Sequence, residues 1–187
     1  MEIGRSKLTP AERERATTYL AETRERWLRT MHGLSSAQLQ YKPAPDRWSV
    51  AECLEHIIIV EGFLIARIET MLQQAPDSTT PTMRDDDMLR WVVNRETRVK
   101  GPERLMPTAR WPQDKLLPAF EAVRQCSSKF AATFQGELRQ HTFPHPIFGP
   151  CDCYQWLLFL GAHGERHRLQ AEEVMADSAF PRAAAAV

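Results

Sequence analysis

His163 and His167, four residues apart in the stretch AHGERH, are the side chains of this sequence best placed for chemistry. On a helix, positions i and i+4 share a face, so imidazoles at this spacing can converge on one metal ion. Their stripe runs from Trp156 and Leu160 through the two histidines to Gln170 and Val174. It begins with large apolar groups, so the pair is expected to point inward, or into a cavity at one end of the core. The spacing alone also suits packed or surface histidines, because a chain with six histidines often holds such a pair by chance. The HExxH pattern of zinc proteases is absent: Gly164 stands where its general base would be, and Glu165 turns away.

A third imidazole favours the metal reading. His56 lies one turn after Glu52 on a second strongly apolar helix, and a site inside a helix bundle takes its ligands from facing helices. His56, His163 and His167 would supply three neutral nitrogens and leave a coordination position open for water or substrate, as catalytic sites do. Glu52 and Gln170 each share a face with one of these histidines and are candidates for orienting an imidazole or a bound water. Glu52 serves equally well as a helix cap, and Gln170 as a packing or solvated residue. His32 at a helix end, and His141 and His145 in a loop, read as solvated or packing residues. Cys53, Cys126, Cys151 and Cys153 include no CxxC and read as reduced thiols, although a helix N-terminus near Cys151 and Cys153 can lower a thiol pKa.

Four long helices must position these groups. The first opens on Thr9, Pro10 and Glu12, a capping box with proline at the first helical position, and should run to about Met31 and stop at Gly33. A proline-broken connector with at most one short turn near 34–39 follows. Ser49 and Glu52 cap the second helix, which is apolar around most of its circumference and ends before Pro76. Residues 75–87 read as a mobile loop, 88–99 as a short helix, and 100–113 as irregular chain. The third long helix is expected over 114–134. HPIFGP reads as a turn, and Asp152 caps the fourth helix, expected to reach about Ala176 before a frayed tail over 177–187. No strand is expected. The architecture is therefore all-α, a four-helix bundle forming one domain with its core at about 10–176. A connection of about forty residues joins the second and third long helices, and connections of that length are often functional.

Twenty-four basic residues balance 24 acidic ones, so the composition gives no electrostatic reason to expect nucleic acid as partner. The opening MEIGRSKLTPAERERA has no apolar core and is not a secretory leader, and no apolar run is long enough for a membrane span. The expectation is a cytoplasmic protein acting on a small molecule.

Three stretches together, RWSVAECLEHIIIVE (47–61), HPIFGP (145–150) and YQWLLFLGAHGERHRLQ (154–170), resemble the DinB-like (DinB/YfiT-like) metal-dependent protein family. The resemblance covers about residues 10–176. It implies a bundle with up-down-down-up connectivity, which accounts for the long crossover, and a metal site carried by His56, His163 and His167, all of the expected type. It implies zinc, nickel, iron or manganese without choosing among them. Relatives of this fold include transferases that use a low-molecular-weight thiol and others regarded as hydrolases. The resemblance therefore implies a metal-dependent thiol S-transferase first and a metal-dependent hydrolase second. A non-catalytic metal-binding or homodimerisation module is the third reading.

Overall fold

The computed structural model describes residues 7–77, 79–99 and 101–182. The first six residues of the stretch read as lacking a leader lie outside them.

Helix α1 (Pro10–Met31) starts as expected: the Thr9 side chain accepts the Glu12 N–H, and Glu12 accepts in return from Thr9. Its stop at Gly33 follows from a backbone φ of +73°, which only glycine adopts without strain. The connector holds a short helix, α2 (Ser36–Gln40), with its own capping box from Ser35 and Gln38. Helix α3 (Val50–Met71) is capped by Ser49 and Glu52, and nearly every residue from Cys53 to Glu61 is buried. Helix α4 (Asp85–Val93) begins three residues earlier than its apolar pattern suggested. Asp85, Asp86 and Asp87, read as loop, form its first turn, where acidic groups meet the positive end of the helix dipole. Helices α5 (Gln113–Thr133) and α6 (Cys153–Met175) lie where the periodicity put them.

Two expectations are corrected. The HPIFGP segment is the tip of a hairpin of two short strands, β1 (Thr142–His145) and β2 (Gly149–Asp152). Pro144 pairs with Pro150, a position at which neither residue needs an N–H to donate, and Gly149 turns the chain at φ +69°. These prolines are why the segment reads as a turn in sequence. Of the expected frayed tail, the first part is docked: Tyr41 donates to Asp177, Phe180 packs edge-on against Tyr41, and Gln38 donates to the Pro181 carbonyl, while 183–187 lie outside the described residues.

The four long helices form a bundle in which α1 and α3 each pack against both α5 and α6. Direction follows from the hydrogen bonds. Tyr154 at the start of α6 donates to the Glu12 carbonyl at the start of α1, so these two helices run the same way. Arg13 donates to Ala131 near the end of α5, which therefore runs opposite. The first half of α3 meets the second half of α6, so α3 runs with α5. The connectivity is up-down-down-up, and two consecutive parallel helices require a crossover the length of the bundle. Among the described residues no helix is long and apolar enough to cross a membrane.

Candidate metal centre

The side chains of His56, His163 and His167 converge, each offering a nitrogen within 4.8 Å of the others. The Nε2 atoms of His163 and His167 are 3.2 Å apart. His56 reaches the pair from α3, with ring centroids 5.1 Å from His163 and 4.6 Å from His167. Trp48 lies 25° from parallel with His167 and also touches His56, while Phe159 stacks on His163 at 5.1 Å. His56 and His167 are buried, and His163 is the partly exposed member.

Two of the imidazoles have their tautomers fixed. His56 Nδ1 lies 2.8 Å from the Leu105 carbonyl, which can only accept, so Nδ1 carries the proton and Nε2 keeps its lone pair. His167 Nδ1 lies 2.9 Å from Gln170 Oε1. The same oxygen accepts from Arg95 Nη1 at 3.2 Å, and a guanidinium is a donor only. Arg95 therefore sets the amide orientation and with it the His167 tautomer. Glu173 in turn holds Arg95 through both carboxylate oxygens, at 3.0 and 2.9 Å.

Burial holds the three rings neutral. It pushes His56 down to about 4, with the Leu105 hydrogen bond opposing. His163 and His167 are lowered well below the usual imidazole value, by burial first and then by neighbouring charge, that of His56 and Arg166 on His163 and that of His163 and His56 on His167. Neutral imidazoles with lone pairs turned on one another are the form in which histidine binds metal. Two nitrogens each about 2.0–2.1 Å from a tetrahedral ion stand roughly 3.3 Å apart, close to the His163–His167 separation. The donor set fits a divalent transition metal.

The crossover builds part of this shell. Glu55, buried beside His56 on α3, accepts the backbone N–H groups of Thr108, Ala109 and Arg110 at 2.8–3.0 Å and so anchors the segment that delivers the Leu105 carbonyl. Arg166 on α6 donates to the carbonyls of Val92, Asn94 and Thr97, fixing the chain that carries Arg95.

Of the two candidate orienting residues, Gln170 lies in hydrogen-bond contact with His167. The Glu52 carboxylate takes the Ser49 N–H at 2.8 Å and the Lys42 ammonium at 2.9 Å, and none of its hydrogen bonds reaches a histidine. Glu165 pairs with Arg168 and Arg26, away from the triad. Gly164 has a structural reason: a Cβ there would come within 3.1 Å of Arg124 Nη2, and its carbonyl accepts from Trp27. His145 stands in the hairpin against Phe148, Trp156 and Phe159, outside the triad. Burial pushes the thiols of Cys151 up to about 11 and Cys153 up to about 12, so the helix start does not activate them.

A family model described as the DinB superfamily matches residues 19–171. YuaE of Bacillus subtilis (strain 168), an uncharacterized protein, is 25% identical over 145 residues, which span 77% of this chain and 87% of YuaE. Among solved structures, YfiT from Bacillus subtilis superposes with a TM-score of 0.62 at 13% identity, covering 91% of this chain and 90% of YfiT. That protein is described as a probable metal-dependent hydrolase with an unusual four-helix bundle topology.

Proposed function

This chain belongs to the DinB superfamily, and from that premise we propose that it is a metal-dependent transferase for low-molecular-weight thiols, with His56, His163 and His167 as the metal ligands. The observation that carries this reading is the composition of the cluster. Among the described residues three imidazoles converge and no carboxylate joins them. Attack by water is helped by a general base within hydrogen-bond reach, whereas a thiol is itself a strong nucleophile once deprotonated. When bound, zinc, nickel, iron or manganese supplies a Lewis acid that acidifies a coordinated thiol.

The chain's own residues do the rest. The Leu105 carbonyl and Gln170 hold His56 and His167 with Nε2 free. Trp48 and Phe159 cover the imidazole faces and exclude water from them. His163 marks the side from which a thiol and its electrophile would approach. In the transfer a sulfur–carbon bond forms, the carbon–halide bond of an alkyl halide breaks, halide leaves with the electron pair, and the thiol proton passes to solvent.

The second reading, a metal-dependent hydrolase, is supported by the likeness to YfiT. One assay separates the two. Metal-loaded protein is given a fluorogenic alkyl halide with glutathione, bacillithiol or mycothiol, and in parallel an activated ester without thiol. Transferase activity predicts turnover that needs both thiol and metal and falls at least 100-fold in His163→Ala/His167→Ala. Metal-dependent ester cleavage with no thiol-dependent reaction would reject it in favour of the hydrolase.

A further inference from the structure

Apart from the triad, a cleft of about 770 Å³ lies between α3 and α5 beneath the crossover. Its floor is Ile58, Ile59 and Gly62 from α3 with Ala119, Ala122 and Val123 from α5. Trp111 and Leu105 close one side, and Phe63, 38% exposed, forms an edge. Two exposed arginines, Arg104 and Arg110, line the same cleft. Their partners are neutral. Arg110 donates to Thr108 Oγ1 and to the Arg104 carbonyl, and the Arg104 guanidinium lies 5.0 Å from the centre of the Phe63 ring. Among the described residues neither is paired with a carboxylate, so an apolar trough carries two uncompensated positive charges. Gly62 adds to the space. A Cβ there would meet only Val123, at an ordinary 3.9 Å, so packing does not demand glycine in this helix interior, where it is disfavoured.

We infer that this cleft binds an amphipathic small-molecule anion, a medium-chain carboxylate, with its alkyl tail along the α3–α5 floor and its head group between Arg104 and Arg110. Tail burial supplies apolar area, and guanidinium groups recognise a carboxylate through charge-assisted hydrogen bonds. The charges also select against a second copy of this chain. A two-fold contact would place the same patch on both sides and bring four arginines together. This site is independent of the reading of the triad, although Leu105 borders both.

Cys126 is the reporter. It lines the cleft and is exposed, while Cys53, Cys151 and Cys153 are buried. The experiment measures the rate of Cys126 alkylation by N-ethylmaleimide in the full chain, with decanoate below its micelle concentration or with decyltrimethylammonium. Decanoate is expected to slow alkylation at least fivefold and saturably, and the cationic amphiphile to leave it unchanged. Arg104→Gln/Arg110→Gln, both on the surface, should weaken decanoate protection about tenfold. Gly62→Leu, which fills the floor, should abolish it with helicity retained. No protection by decanoate, equal protection by the cation, or protection that survives loss of both arginines would overturn the inference. So would alkylation that slows with protein concentration alone, which would assign the cleft to a second copy.

Discussion

Among the buried polar clusters of this bundle, two are built on opposite principles. Glu61 and Arg124 form an ion pair 2.8 Å long between α3 and α5, with side chains 2% and 0% exposed. Arg124 also donates to the Leu20 carbonyl and the Thr23 hydroxyl of α1. Charge answers charge across the ion pair, while Glu61 Oε1 and Arg124 Nε have no hydrogen-bond partner. The triad of His56, His163 and His167 gathers like groups instead. Their outer nitrogens are tied down where the partner is known, and their inner nitrogens face one another. A bundle that only had to fold would gain nothing from the second arrangement. Closed pairing marks a structural cluster, and convergent unused lone pairs mark one kept for a ligand.

The largest effect expected tests the closed cluster. Glu61→Leu alone strands the Arg124 charge and should lower unfolding free energy by about 3–5 kcal/mol, read by chemical denaturation. Glu61→Leu with Arg124→Met should recover most of that loss, because an apolar pair needs no partner. Failure to recover would mean that the pair does more than neutralise itself. The next effect belongs to the open cluster. Gln170→Leu removes the acceptor that fixes His167 and should weaken metal affinity roughly 10–100-fold with little change in fold stability. Equal affinity in the variant would remove Gln170 from the account.

His145 separates burial from convergence. Burial lowers it to about 4, and its Nδ1 accepts the N–H groups of Ile147 and Phe148. Protonation would put a hydrogen on the atom that accepts them. Its folded pKa lies below the unfolded value, so the unfolded chain binds more protons between about 6.5 and 4. Its contribution is full above the unfolded value and is lost as pH falls, on the order of 1 kcal/mol between pH 7 and pH 5. His145→Gln should flatten that part of the stability profile and leave metal content unchanged. Loss of metal in this variant would show that the triad is not the whole site. The smallest effect is at Glu52. Glu52→Gln should cost at most about 1 kcal/mol through the cap of α3 and should not alter metal affinity.

These contrasts explain what the sequence made legible. Both long capping boxes, the helix ends at Gly33 and Asp152, and the placement of the three histidines follow from local spacing, because i, i+3 and i+4 relations are fixed by helix geometry. The partners of the histidines were not legible. The acceptor for His56 is a backbone carbonyl 49 residues away, and a carbonyl leaves no mark on residue type. Arg95 acts through Gln170 from a segment that reads as helix in sequence, although α4 ends at Val93. Glu52 is ambiguous for a related reason: its place one turn before His56 suits the site and the cap alike, and only tertiary structure shows Lys42 and Ser49 holding it. The hairpin was hidden by Pro144 and Pro150, residues that normally argue against a strand.

Whether the triad holds a metal is tested by elemental analysis of purified protein beside His163→Ala/His167→Ala after identical exposure to zinc, nickel, iron and manganese. Close to one equivalent of a transition metal is expected in the wild type and little in the variant, with unchanged circular dichroism. Equal metal content in the two proteins, whether near zero or near one, would contradict a metal site at the triad.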